Sequence, residues 1–115
     1  MRDIRHVRKI PVADKQLLAE LKQIVLQRVP GATLILYGSA ARGMREPDSD
    51  FDVLILVDAP LSREEEEAID CAIYSLELDR EVVLSTFTYT RDEWNDRFRS
   101  VTPFHRNVEK EGVLL

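Results

Sequence analysis

The spacing of apolar positions changes several times along the chain. Leu17, Leu21, Ile24 and Val25 recur at helical spacing, which puts them on one stripe of a helix. Asp14 is placed to cap that helix, and Pro30-Gly31 ends it after Arg28. Thr33–Tyr37 and Phe51–Val57 are instead continuous apolar runs bounded by turn residues, the pattern of buried strands. Ser62 and Glu65 form a capping box that opens a second long helix, with Ile69, Ala72, Ile73 and Leu76 on its apolar stripe. Glu64–Glu67 is a charge run suited to the first turn of that helix. Glu81–Tyr89 is rich in β-branched and aromatic residues and predicts a third strand. Thr90 and Glu93 form another capping box, and Trp94 with Phe98 one turn on gives its helix a buried edge. Pro103 breaks the chain after that helix, and Phe104, Val108, Val113 and Leu114 can pack the tail back. The order α-β-(short α)-β-α-β-α predicts an α/β (α+β) fold on a small mixed sheet.

Composition narrows the class. At 115 residues the chain reads as one domain, 1–115, large enough to bury a core without staples. Its 44% hydrophobic and 32% charged content suits a globular protein, and no apolar run approaches a membrane span. The charged start, Met1 to Lys9, lacks the apolar stretch of a secretory signal. A single cysteine, Cys71, excludes an internal disulfide framework, fits a cytoplasmic location and reads as a small buried residue. A net charge of −5 argues against nucleic acid as the primary partner. The basic residues Arg2, Arg5, Arg8 and Lys9 read as a solvated tail or a partner contact.

The chemistry concentrates between the first two strands. Gly38-Ser39-Ala40-Ala41-Arg42-Gly43 follows one strand, and Ser49-Asp50-Phe51-Asp52 opens the next. Carboxylates two residues apart on a strand share a face. A glycine-serine turn frees backbone N–H groups that can hold phosphate. Together these parts can hold a divalent cation against a nucleoside triphosphate. Asp48-x-Asp50-x-Asp52 is not a calcium loop, because Val53 and Ala59 stand where glycine and glutamate are required. No Gly-Lys-Ser/Thr follows Gly38, and G-x-S-x-G is not met. His6 and His105 lack metal-ligand spacing. Tyr37 can line a pocket or pack in the core.

This pattern resembles the signature of the polymerase-β-like nucleotidyltransferase superfamily, G-S-x-A-R-G followed by S-D-x-D. It is most similar to the minimal nucleotidyltransferases, often paired with HEPN-domain toxins. The resemblance covers a catalytic core of about residues 14–100, leaving the tail 101–115. It implies two Mg2+ ions held by Asp50 and Asp52, and ATP or another nucleoside triphosphate cradled by Gly38, Ser39, Arg42 and Gly43. The implied reaction moves a nucleoside monophosphate to a hydroxyl acceptor, on a partner protein such as a HEPN-type toxin, and releases pyrophosphate. Part of the acceptor pocket then comes from that partner or from a second copy. The family places a third carboxylate on the next strand, at a position that falls near Ser85 here. Glu81 is the nearest acid on that strand and the candidate third ligand, about 13 Å away along an extended chain. The alternative from another class is a catalytically weakened nucleotidyltransferase that masks a toxin as a binding module. A small-molecule transferase is a third reading, but those enzymes generally carry a further acceptor domain.

Overall fold

A computed structural model describes residues 1–115. The first strand, β1 (Arg2–Asp3), leads through a 3-10 turn into α1 (Val12–Arg28). β2 (Thr33–Tyr37), the one-turn helix α2 (Gly38–Ala41) and β3 (Phe51–Val57) come next. Then come α3 (Arg63–Arg80), β4 (Leu84–Thr90), α4 (Arg91–Trp94), α5 (Pro103–Glu111) and β5 (Val113–Leu114). The five strands form one mixed sheet in the order β1-β5-β2-β3-β4. β2 runs antiparallel to β3 and β5, whereas β4 runs parallel to β3 and β1 parallel to β5. A parallel neighbour requires a crossover, and α3 supplies the one between β3 and β4.

The continuous apolar runs have the cause expected of them: both faces of the sheet are covered. On one face, Leu34, Leu36, Val53, Ile55 and Val57 pack with Leu17, Leu18, Leu21 and Val25 of α1 and with Ile69, Ile73 and Leu76 of α3. On the other, Ile35, Leu54 and Leu56 pack with Trp94 and Val108. Each fully buried Leu or Ile contributes ~1.5–3 kcal/mol through burial, so α1 and α3 dock on tertiary contacts more than on propensity. Both capping boxes form as expected, at Ser62/Glu65 and at Thr90/Glu93. No helix is long and apolar enough to cross a membrane.

Several expectations are corrected. Asp14 does not cap α1, which begins two residues earlier after Pro11. Pro lacks an N–H and resists helical neighbours only on its N-terminal side, so it can precede a helix. The strand expected over Glu81–Tyr89 begins at Leu84, because Glu81 ends α3 in the left-handed conformation (φ 54°). Pro103 starts α5 rather than breaking structure, and Thr102 caps it by accepting from the His105 N–H. Trp94 is buried but Phe98 is exposed, since α4 ends at Trp94 and leaves no second turn to align them. Cys71 is exposed, on the outer side of α3. The basic N-terminal segment is part of the fold: Arg2 and Asp3 pair with Val113 and Leu114, and Ile4, Val7 and Ile10 are buried. The tail packs back through Val108 and Val113, with Phe104 and Leu114 half-buried, and it adds a strand that sequence pattern did not reveal.

Candidate functional site

Register brings the candidate residues to one end of the sheet. Tyr37 ends β2 opposite Asp52 near the start of β3, and Asp52 lies opposite Ser85 near the start of β4. Alternation then puts Tyr37, Asp52 and Ser85 on one face, the face that carries Trp94 further along. Asp50 precedes β3, and its Oδ2 accepts from the Ser85 hydroxyl at 2.9 Å.

Gly38 is the hinge of this arrangement. Its φ of +74° lies in the left-handed region, and a Cβ there would stand 2.5 Å from Asp52 Oδ2. The Asp52 carboxylate thus lies directly against the glycine-serine turn, and only a residue without a side chain lets it do so. Ser39 comes next, at the start of α2, and is half-buried. Ala40 and Ala41 are buried, and their small side chains let α2 sit close against the sheet. Gly43 (φ +70°) turns the chain out, where a Cβ would lie 2.8 Å from Lys9 Cγ. Its close neighbour is therefore the N-terminal segment. Arg42 is half-exposed and donates to Glu111 Oε2 at 2.9 Å. The Gly38 N–H donates to Glu111 Oε1 at 3.3 Å.

Burial pushes the Asp52 carboxyl above its ordinary value, and the nearby Asp50 charge adds to the effect. Burial also pushes the Tyr37 hydroxyl up to about 12, helped by the Asp52 charge. A cation placed at the two carboxylates offsets the burial and the like-charge repulsion that raise Asp52. The donor set is hard oxygen, which fits a divalent cation. No group of three or more His, Cys, Asp or Glu is arranged around a common point. Glu81 lies off the strand, beside Tyr74, Leu78 and Val83 in a separate cleft of about 430 Å³, so it is no third member of the pair. Ser85 holds the position opposite Asp52, where the superfamily resemblance calls for an acid.

Two residues at the site were not legible in the sequence. Glu111 lies 73 and 69 residues from its partners Gly38 and Arg42, and no local pattern marks it. Arg45 has a basic side chain in a loop, which by itself signals nothing. In the structure its Nη1 donates to the carbonyls of Glu46, Pro47 and Ser49 at 3.2, 3.2 and 2.8 Å. Its guanidinium lies 4.1 Å above the Phe51 ring, and Nε lies 3.9 Å from Asp14 of α1. Arg45 therefore folds the loop that delivers Asp50. Arg45→Met is expected to cost about 1–3 kcal/mol, by orphaning carbonyls and removing the cation–π contact. A thermal midpoint lowered by about 5–10 °C is the corresponding observation. A midpoint equal to that of the wild type would count against this role.

A family model described as a nucleotidyltransferase domain matches residues 18–115. A search of curated protein sequences found no match. Among solved structures, the chain is similar to one titled "Crystal structure of the toxin-antitoxin with AMP-PNP", with a TM-score of 0.56 and 16% identity. That alignment covers 88% of this chain and 71% of the other, and at such low identity it speaks for the fold. The match to the family model spans most of the chain, from within α1 to the last strand, and takes in both the glycine-serine turn and the two aspartates: this protein belongs to the nucleotidyltransferase domain family.

Proposed function

We propose that this chain is a minimal, metal-dependent nucleotidyltransferase that moves AMP from ATP to a hydroxyl on a partner protein, with release of pyrophosphate. The observation that carries the reading is the approach of the Asp52 carboxylate to Gly38, which joins the acid pair to the glycine-serine turn. Asp50 and Asp52 hold Mg2+ in this reading, while Gly38, Ser39 and Arg42 receive the triphosphate and Gly43 turns the chain away. Bound magnesium supplies charge stabilisation at the attacking and leaving oxygens. The protein's own part is positioning. Ser85 orients Asp50 through its hydroxyl, and the glycine-serine turn would offer backbone N–H groups to the phosphates. We read 1–115 as one domain. A protein partner is supported by the structural neighbour, a toxin-antitoxin assembly with AMP-PNP. A HEPN-type toxin is the partner we infer, with a second copy of this chain as the other source of an acceptor pocket.

One observation favours a second reading, a weakened transferase that neutralises a toxin by masking it. Ser85 stands opposite Asp52, and a hydroxyl is a poorer base and ligand than a carboxylate. The deciding experiment mixes the full chain, α-labelled ATP, Mg2+ and the product of an adjacent gene, with and without EDTA. Label on the partner that disappears with EDTA is the expected outcome. Neutralisation of the partner with no label transferred assigns the protein to the masking reading. Neither label nor neutralisation removes both.

A further inference from the structure

Two donors at the glycine-serine turn are already engaged by an acid from the far end of the chain. Glu111, the last residue of α5, accepts from the Gly38 N–H through Oε1 at 3.3 Å and from Arg42 Nη1 through Oε2 at 2.9 Å. Neither contact serves α5 itself, whose end is closed by the Gly112 N–H on the Val108 carbonyl at 2.7 Å. Glu111 is held from behind. A Cβ on Gly112 would lie 2.8 Å from Ile35 Cγ2, so α5 meets β2 as closely as backbone allows. Val113 and Leu114 then pair with Leu36 and Ile35. The backbone that carries Glu111 is fixed by the sheet, while its side chain is 25% exposed and that of Arg42 46% exposed. The side chain is able to turn away without the segment leaving.

We propose that Glu111 is the anion a nucleotide's polyphosphate must displace, and that this residue thereby sets the affinity of the site. The inference rests on the nucleotide reading above. A carboxylate bridging a backbone N–H and a guanidinium presents two oxygens much as a phosphate does. The carboxylate and a phosphate cannot share those donors, because like charges in one place repel. The ligand class that wins the exchange carries several phosphates and its own cation. A lone carboxylate or monophosphate has no such advantage over Glu111.

The test compares wild type with Glu111→Gln, each as the full chain, by calorimetric titration with Mg2+-ATP and with Mg2+-triphosphate. Gln keeps the length of the side chain and an acceptor for the Gly38 N–H but removes the charge. Both ligands are expected to bind about tenfold more tightly to the variant, and equally so, because the exchange concerns phosphate and not base. Glu111→Asp, one methylene short of its partners, is expected to bind more tightly than wild type and guards against a misfolded first variant. Wild-type binding that neither variant strengthens overturns the proposal and leaves the nucleotide reading standing. Binding seen in a variant alone supports the proposal. No binding by any of the three removes the nucleotide reading, and this inference with it.

Discussion

Asp52→Asn is expected to abolish nucleotidyl transfer, by about three orders of magnitude or more, while making the folded chain more stable at neutral pH. The two effects share one cause. Asp52 is a half-buried acid beside Asp50, and its carboxyl is raised by burial first and by the Asp50 charge second. A raised acid means that the folded state holds its proton more tightly than the unfolded state. Stability attached to that proton is present at low pH. It is lost as pH climbs from the unfolded value of 3.8 through the raised folded value. At neutral pH the whole penalty stands, and the uncharged amide of Asn escapes it. Partial exposure screens the charge, so the gain is about 1 kcal/mol or less. Denaturant unfolding of the two proteins across pH 3 to 8 measures it. The curves should converge at the acid end, and a variant less stable than wild type at pH 7 would falsify this account of the acid pair. Added Mg2+ with ATP should raise the melting temperature of the wild type and leave Asp52→Asn unmoved.

Gly38→Ala is expected to fold and yet lose the nucleotide response. Ala at a φ of +74° carries a strain of about 1–2 kcal/mol. The more damaging effect is local. The new Cβ would stand 2.5 Å from Asp52 Oδ2, the mobile end of a side chain, so the carboxylate swings aside rather than the strand shifting. The acid pair then opens, and transfer falls by about a hundredfold or more. Gly31 provides the control. It too has positive φ (+93°), but a Cβ there meets nothing within 4 Å. Gly31→Ala carries the same kind of backbone strain with no contact near the site. Comparable losses of stability with opposite nucleotide responses are the expected result. If both variants lose the response equally, the effect of Gly38→Ala belongs to general destabilisation and the close approach of Asp52 has no functional part.

Much of the fold was legible because it depends on local chemistry. β2 and β3 have the bounds their apolar runs predict, and both capping boxes close, since each needs only a residue and its neighbour three places on. The glycine-serine turn and the two aspartates were legible for a related reason, because each is a contiguous motif, one at the start and one at the end of the connection between two adjacent antiparallel strands. What failed depended on ends and on distance. Val82 and Val83 have the composition of a strand, but the left-handed turn at Glu81 places them in the connection to β4. Phe98 has helical spacing from Trp94, yet the helix that would align them stops after four residues. The N-terminal arginines are exposed as expected, but the segment that carries them is no tail, and that was illegible because β1 has only two residues and its partner lies at the other end of the chain.

By itself, the sequence determined the pair of long helices, the two central strands, the turn between them and the presence of an acid pair beside it. Each of these is written in contiguous residues, where periodicity, capping and turn chemistry act over a few positions. The tertiary structure alone decided that Ser85 faces Asp50, that Arg45 ties the loop before it, and that Glu111 occupies Gly38 and Arg42. These contacts join residues through strand register and the return of the C-terminal segment to the sheet. Register is set by how whole faces bury against α1, α3 and Trp94, a global packing result that no short window of sequence contains.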